Sequence, residues 1–424
     1  RVRGTLFFLY IVMFTKKNIR IELLFILNIL SIWIIDTFFP TKIGYWIISF
    51  FLYLFPDLKI HSRKRNSKYD NKIAFITGGN VGVGFALAAK LLARNVKVYI
   101  SCNSRSRLKR VIAKLKTIFP LGNIYPLIID LTNPISIIEG AREYLKLENK
   151  LDYLILTETC MPVKFGYQSY SVLMDCFMHC SFHRFLSTGR TNENGHLPFD
   201  QPLGITTSQG FGYLYSKHVL GNFILIQELK NLLAQTNHTG LILWSGSVFS
   251  CRDSFSWDDP QCVLSEDPYG ATKYLQDILS VAFNDQFPNN CISIVTCPGF
   301  YVTSQSHLVL RLLEPLFLLL SVYFPAIHVF GCKSSDVFMK IIQDYEDIDK
   351  NKKYVLHRGA LSVPNYCIEL NKKEGDKLYM YLMNLYTAFS SLHDNGDIVQ
   401  DGIFKELDTS VNSPSIKLTY ARKK

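Results

Sequence analysis

From Asn71 onward, short runs rich in β-branched and aromatic residues alternate with stretches of helical pattern, and this alternation constrains the fold more than any other feature. The runs are KIAFIT, VKVYIS, IYPLIID, LDYLILT, LILWS and CISIVTC. Strands separated by helix-length connections cross over and pair in parallel rather than as hairpins. Near-continuous apolar strands suit a sheet buried on both faces. The expected fold is α/β, a doubly wound parallel sheet, and 424 residues are enough for one such domain with attachments.

The flanks read differently. Residues 1–70 form an expected membrane-anchoring segment with a basic flank. TLFFLYIVMF, LLFILNILSIWII and IGYWIISFFLYLF are apolar, though each is shorter than a full span, and HSRKRNSK follows them. One or two membrane-embedded helices broken at Pro40 are expected, and no small-residue cleavage site suggests a signal peptide. The main domain is expected over 71–365, with an apolar, membrane-associated insertion at 306–331 near the substrate side. Residues 366–424 read as a polar C-terminal helix and a basic, disordered tail. The net charge of +11 is assigned to anionic lipid rather than nucleic acid, because the basic run adjoins an apolar segment. Ten scattered cysteines indicate reduced thiols facing the cytosol. No metal is expected: Cys176, His179, Cys180 and His183 form one short cluster without a second ligand pair. The sequon at Asn237 would matter only in a lumen.

Strand KIAFIT runs into TGGNVGVG, and an Ala-rich helix pattern follows. Gly78, Gly82 and Gly84 permit a tight turn and let backbone N–H groups approach a pyrophosphate at the helix N-terminus. After the second strand, where NAD-selective folds place a carboxylate on the ribose, the chain has Asn103, Ser104, Arg105 and Arg107 and no acid. A guanidinium can hold a 2′-phosphate that a carboxylate would repel, so NADP(H) is the expected cofactor and Arg105 its contact. Asp130, ending the third strand, either accepts from an adenine amine or caps the next helix.

In PYGATKYL, Tyr269 and Lys273 stand four apart. On a helix they are neighbours, and they lie opposite the stripe Leu275, Ile278, Leu279 and Ala282, which argues against a core role for the tyrosine. An ammonium beside a phenol lowers its pKa toward the range of a working proton donor. Ser247, near the end of LILWS, could polarise a carbonyl, and Thr303, past the next strand, could hold a carboxamide.

Together Thr77-Gly78-x-x-x-Gly82-x-Gly84, Ser247, Tyr269-x-x-x-Lys273 and Pro298-Gly299-x-x-x-Thr303 resemble the short-chain dehydrogenases/reductases over roughly residues 71–305. Within that family the stretches NFILIQEL and SFSWDDPQ, and the long gap from Ser247 to Tyr269, look most like the 3-keto-steroid reductases. The resemblance implies a Rossmann-like fold and NADPH-dependent reduction of a ketone on a sterol or steroid. Tyr269 would be the proton donor, Lys273 and Ser247 its helpers, and His218, at the position of the family's catalytic asparagine, a relay to solvent. Implied cofactor contacts are Thr77, Gly78, Asn80, Val81, Gly82, Gly84, Asn103, Arg105, Asp130, Leu131, Thr157, Tyr269, Lys273, Pro298, Gly299 and Thr303. The chain departs from the family at Thr157-Glu158-Thr159, in place of Asn-Ala-Gly, and at His218. The expected partners are a lipophilic ketone, membrane lipid and, for assembly, a second copy of the chain or other sterol-pathway enzymes. The expected location is the endoplasmic reticulum membrane, with the catalytic domain on the cytosolic side. The alternatives are a dinucleotide-binding scaffold or sensor whose site has lapsed, and a retinol or lipid-alcohol dehydrogenase.

Overall fold

The computed structural model describes residues 69–161, 201–235, 239–287, 291–299, 331–357, 360–362, 370–394, 402–406 and 418–422. Six strands form one parallel sheet in the order β3-β2-β1-β4-β5-β6: β1 (Ile73–Thr77), β2 (Lys97–Cys102), β3 (Ile124–Ile128), β4 (Tyr153–Leu156), β5 (Gly240–Ser245) and β6 (Cys291–Thr296). The helices between them are α1 (Gly82–Leu92), α2 (Arg105–Ile118), α3 (Pro134–Leu147), α4 (Gly221–Leu233) and α5 (Pro268–Gln286). The chain builds outward from β1 in one direction and from β4 in the other. A crevice therefore opens where their carboxyl ends diverge.

The apolar strands are buried on both faces, as expected. Ala74, Ile76, Tyr153, Ile155, Leu241 and Leu243 enter one core layer with α1, α2 and α6 (Gly331–Asp344). Their alternates Phe75, Leu154, Leu156, Ile242 and Trp244 enter the other, under α3, α4, α5 and α7 (Lys372–Asp394).

Helix α5 differs from its expected two-faced form. Asp267 caps it by accepting from the Gly270 N–H, and every residue from Pro268 to Asn284 is buried. The face opposite the predicted stripe is covered as well: Lys273 donates to the Ser245 carbonyl of β5, Asn284 donates to the Ser293 carbonyl of β6, and Asp277 pairs with Lys353. On the stripe itself α7 packs against α5. Gly375 brings the two backbones together, and a Cβ there would stand 2.5 Å from the Ile278 carbonyl oxygen. Glu374 joins the helices by accepting from Tyr274, from Arg252 at 2.9 Å and from Trp257 at 3.2 Å. The predicted C-terminal helix is thus part of the folded unit rather than an appendage. The tail expected to be disordered contributes an antiparallel pair, β9 (Gly402–Glu406) with β10 (Leu418–Arg422). Before them, β7 (Val355–His357) pairs with β8 (Ala360–Ser362).

The sheet margins are unlike each other. At β6 the chain returns alongside: the Tyr354 N–H donates to the Val295 carbonyl at 3.1 Å, and the Cys297 N–H donates to the Tyr354 carbonyl at 2.8 Å. At β3 the outer side carries Pro126 and the exposed Tyr125. Among the described residues no helix is long and apolar enough to cross a membrane. All of the expected anchor (1–70) but its last two residues, all of the expected apolar insertion (306–331) but its last residue, the Cys176–His183 cluster, Asn237 and Thr303 lie outside the described residues.

Candidate active site

The glycine turn closes the crevice between β1 and β4. Gly78 (φ +68°) and Gly82 (φ +58°) adopt left-handed backbone that other residues take only with strain. A Cβ at Gly84 would lie 2.6 Å from both the Gly78 carbonyl oxygen and Thr157 Oγ1, so only glycine lets α1 start this close to the turn. Thr157 donates to the Thr77 carbonyl at 2.6 Å and fixes the end of β4 to that of β1. Asn80 and Val81 lead into α1, whose first turn carries no acid. This cradle, a helix N-terminus behind a turn whose glycines at 78, 79 and 82 carry no Cβ, fits the pyrophosphate of a dinucleotide.

Next to it, Asn103 and Arg105 are exposed at the end of β2 and the start of α2. Asp130 does not cap the following helix. Asn133 does so, accepting from Ile135 and Ser136, while Asp130 closes a local turn on Thr132 (2.9 Å from its N–H and 2.7 Å from its hydroxyl) and faces Asn103 at 3.4 Å. The Leu131 side chain lies in the core and its carbonyl packs against Gly221, so that side chain does not line the crevice. Pro298 is buried and Gly299 (φ +77°) turns the chain after β6.

Three sequence-predicted residues converge. Tyr269 is 7% exposed, and the side chains of Ser247 and Thr159 lie beside its hydroxyl, where their polar groups favour the phenolate. Lys273 Nζ lies 5.7 Å from the centroid of the Tyr269 ring and donates to the Ser245 carbonyl and Gln276 Oε1, both at 2.8 Å. Burial dominates the titration of both. It pushes the Tyr269 phenol up to about 12, against the smaller downward pull of Ser247 and Thr159. It pushes the Lys273 ammonium down to about 7, the upward pull of Asp277 being smaller. The expectation that the ammonium brings the phenol toward neutrality is therefore not met in the chain by itself, because desolvation outweighs it.

His218 stands beside Tyr269, with ring centroids 5.6 Å apart. It lies in a π-helical stretch (Ser216–Leu220) that follows a single turn (Tyr213–Tyr215) and leads into α4. Its Nε2 accepts from the Cys160 N–H at 3.1 Å, so the proton sits on Nδ1, which donates to Thr272 Oγ1 at 3.0 Å. Thr272 in turn donates to the Pro268 carbonyl at 2.8 Å. Burial, and then the Lys273 and Lys217 charges, hold the imidazole neutral. Fully buried, His218 ties the loop after β4 to the first turn of α5, and its Nε2 also lies 3.3 Å from Thr159 Oγ1.

Sequence reasoning passed over four participants. Thr159 lies between the Tyr269 hydroxyl and His218 Nε2, 3.3 Å from the latter. Lys217 pairs with Glu158 at 3.1 Å, so the charge introduced beside the glycine turn is balanced, and Glu158 Oε2 stays buried without a hydrogen-bond partner. Lys353 and Asp277 form a buried pair at 2.6 Å. The acid Asp277, four residues beyond Lys273, was the one local signal.

A family model described as short chain dehydrogenase matches residues 72–177. The chain is 27% identical over 327 residues to 3-keto-steroid reductase/17-beta-hydroxysteroid dehydrogenase 7 of Rattus norvegicus, covering 74% of this chain and 95% of that protein. It is 26% identical over 326 residues to the protein of the same name from Homo sapiens, covering 74% and 93%. The crystal structure of an uncharacterised protein from Mycobacterium Paratuberculosis superposes with a TM-score of 0.50 at 13% identity, over 77% of this chain and 96% of that one, a likeness of fold alone.

Proposed function

Because this chain belongs to the short-chain dehydrogenase/reductase family, we propose that it reduces a ketone on a lipophilic, sterol-like substrate to the alcohol, using NADPH. The observation that carries this reading is the Tyr269 hydroxyl held between Ser247 and Thr159, with Lys273 beneath its ring, beside the glycine crevice. The NADP(H) preference rests on the absence of a carboxylate after β2 and on the exposed Arg105 there. The sterol class rests on the names of the two relatives and on the apolar stretches of the sequence. Those stretches, with the basic run at His61–Lys68, also support attachment to the endoplasmic reticulum membrane.

When bound, the reduced nicotinamide supplies a hydride to the carbonyl carbon. The residues of this chain manage the oxygen. Ser247 and Thr159 donate to it and hold it in line with the phenol. Tyr269 gives up its proton as negative charge develops on the oxygen, and the ammonium of Lys273 stabilises the phenolate that remains. Thr77, Gly78, Gly82, Gly84 and Thr157 would hold the dinucleotide, with Arg105 on its 2′-phosphate.

The test is NADPH consumption with membrane-purified protein on a panel of 3-keto-sterols, 17-keto-steroids and small soluble ketones, alongside Tyr269→Phe. Turnover of sterol ketones that Tyr269→Phe abolishes is expected. Dinucleotide binding with no turnover on any ketone or alcohol would replace this reading with a binding role.

A further inference from the structure

One buried ion pair beside the site has no part in the chemistry described so far. Lys353, on the segment leading into β7, runs beneath the turn after β5. Its Nζ donates to the Ser247 carbonyl at 2.6 Å and to Asp277 Oδ2 at 2.6 Å. The two side chains are 5% and 1% exposed. Gly246 leaves room for them: a Cβ there would be 3.0 Å from Asp277 Oδ1 and 3.2 Å from Lys353 Cε. Taking two charges out of water costs about what their attraction returns, so such a pair is weak grounds for stability by itself.

Its position suggests another role. Asp277 lies one helical turn beyond Lys273, at the spacing where an acid and a lysine ordinarily pair. Lys273 does not take it, and donates to Ser245 and Gln276 instead. The carboxylate is occupied by Lys353, while its other oxygen, Oδ1, has no hydrogen-bond partner.

We infer that Lys353 is a positioning residue of the active site: by occupying Asp277 and anchoring the Ser247 carbonyl, it keeps the Lys273 ammonium beneath Tyr269 out of an ion pair with that acid and fixes the turn that presents the Ser247 hydroxyl. The purpose of this arrangement rests on the reductase reading; the arrangement itself does not. The charged and titratable groups facing Lys273 are Tyr269 and Asp277 on α5, Lys353 before β7, Cys297 after β6 and His218 in the π-helical stretch. Of these, Asp277 draws the ammonium up and Lys353 pushes it down, both more weakly than burial does.

The test titrates Lys273 by NMR in protein labelled with lysine-13Cε, so that its readout does not depend on turnover. Lys353→Met leaves Asp277 without a counter-charge, and the Lys273 midpoint is expected to rise by about one pH unit or more as it turns to the acid. Asp277→Asn removes the attraction while Lys353 remains, and the midpoint is expected to fall. The double variant Lys353→Met/Asp277→Asn removes both charges and returns the midpoint toward the wild-type value. In an active enzyme the pH profile of kcat moves in the same directions, and Lys353→Met lowers kcat more than it changes KM. Midpoints unmoved in the single variants, or moved in the same direction, would overturn the inference. Asp277→Asn keeps the side-chain shape and carries the test if Lys353→Met does not fold. An unmoved Lys273 in a protein that reduces ketones sinks the ion-pair role alone, whereas a shifted Lys273 in a protein that reduces none sinks the reductase reading alone.

Discussion

In the glycine half of the crevice the geometry is imposed by main chain. Two left-handed glycines, a Cβ-free contact at Gly84 and one threonine hydroxyl on a carbonyl fix it, and the segments involved adjoin β1 and β4. In the Tyr269 half the geometry is imposed by buried side chains that meet from distant parts of the sequence. Lys353 reaches Asp277 across 76 residues, and Glu374 reaches Tyr274 across 100. The first half holds a charge as well, Glu158, which Lys217 balances at 3.1 Å. The second is dry, and each charge in it needs a partner or shifts its titration. The lesson is that binding geometry and proton-transfer electrostatics are separable in this molecule, and can be broken separately.

The sharpest way to separate them is Tyr269→Phe. It is expected to lower kcat by about a thousandfold, within the range for loss of a general acid, and to leave the dinucleotide Kd unchanged by fluorescence titration. The converse is Gly84→Val. Forcing a side chain against the Gly78 carbonyl should weaken dinucleotide binding about tenfold to a hundredfold, since overpacking costs about 1–3 kcal/mol, while the NMR midpoint of Lys273 stays put. Glu374→Ala addresses the support behind the Tyr269 half. It strips the acceptor from Tyr274 and Trp257, and should lower unfolding stability by about 2 kcal/mol in denaturant titrations.

A fourth measurement uses pH. The unfolded lysine keeps its proton to about pH 10.4. In the folded chain burial brings Lys273 down to about 7. Between those values the unfolded state binds more protons, so Lys273 makes stability rise with pH. The stability of the wild type relative to Lys273→Met should grow from pH 7 to pH 9; a flat difference would mean that the ammonium is solvated. The smallest effect is expected from Arg105→Ala at the exposed rim, which should reduce the preference for NADPH over NADH severalfold, a change of about 1 kcal/mol.

The same contrast decides what could be read from the sequence. The glycine turn, the parallel sheet and the Tyr269–Lys273 spacing were legible because each is a local pattern with a local cause. The covering of α5 was not. Its apolar stripe is real, but β5, β6 and Lys353 close the other side too, and no periodicity within α5 reports that. His218 matched a catalytic position in sequence, but what its two nitrogens meet, Cys160 and Thr159 at one and Thr272 at the other, appears only in three dimensions. Lys353 gave no signal at all, since a lysine in the run Lys350-Asn351-Lys352-Lys353 reads as surface.

The two margins of the sheet bear on how this chain behaves at high local concentration. Along β6 the Tyr354 backbone already takes up hydrogen bonds that another molecule could otherwise claim, and along β3 Pro126 offers no N–H. Neither side presents an unbroken ladder for a neighbouring copy to extend, so crowding many copies together gives no simple template for strand-by-strand growth into fibres.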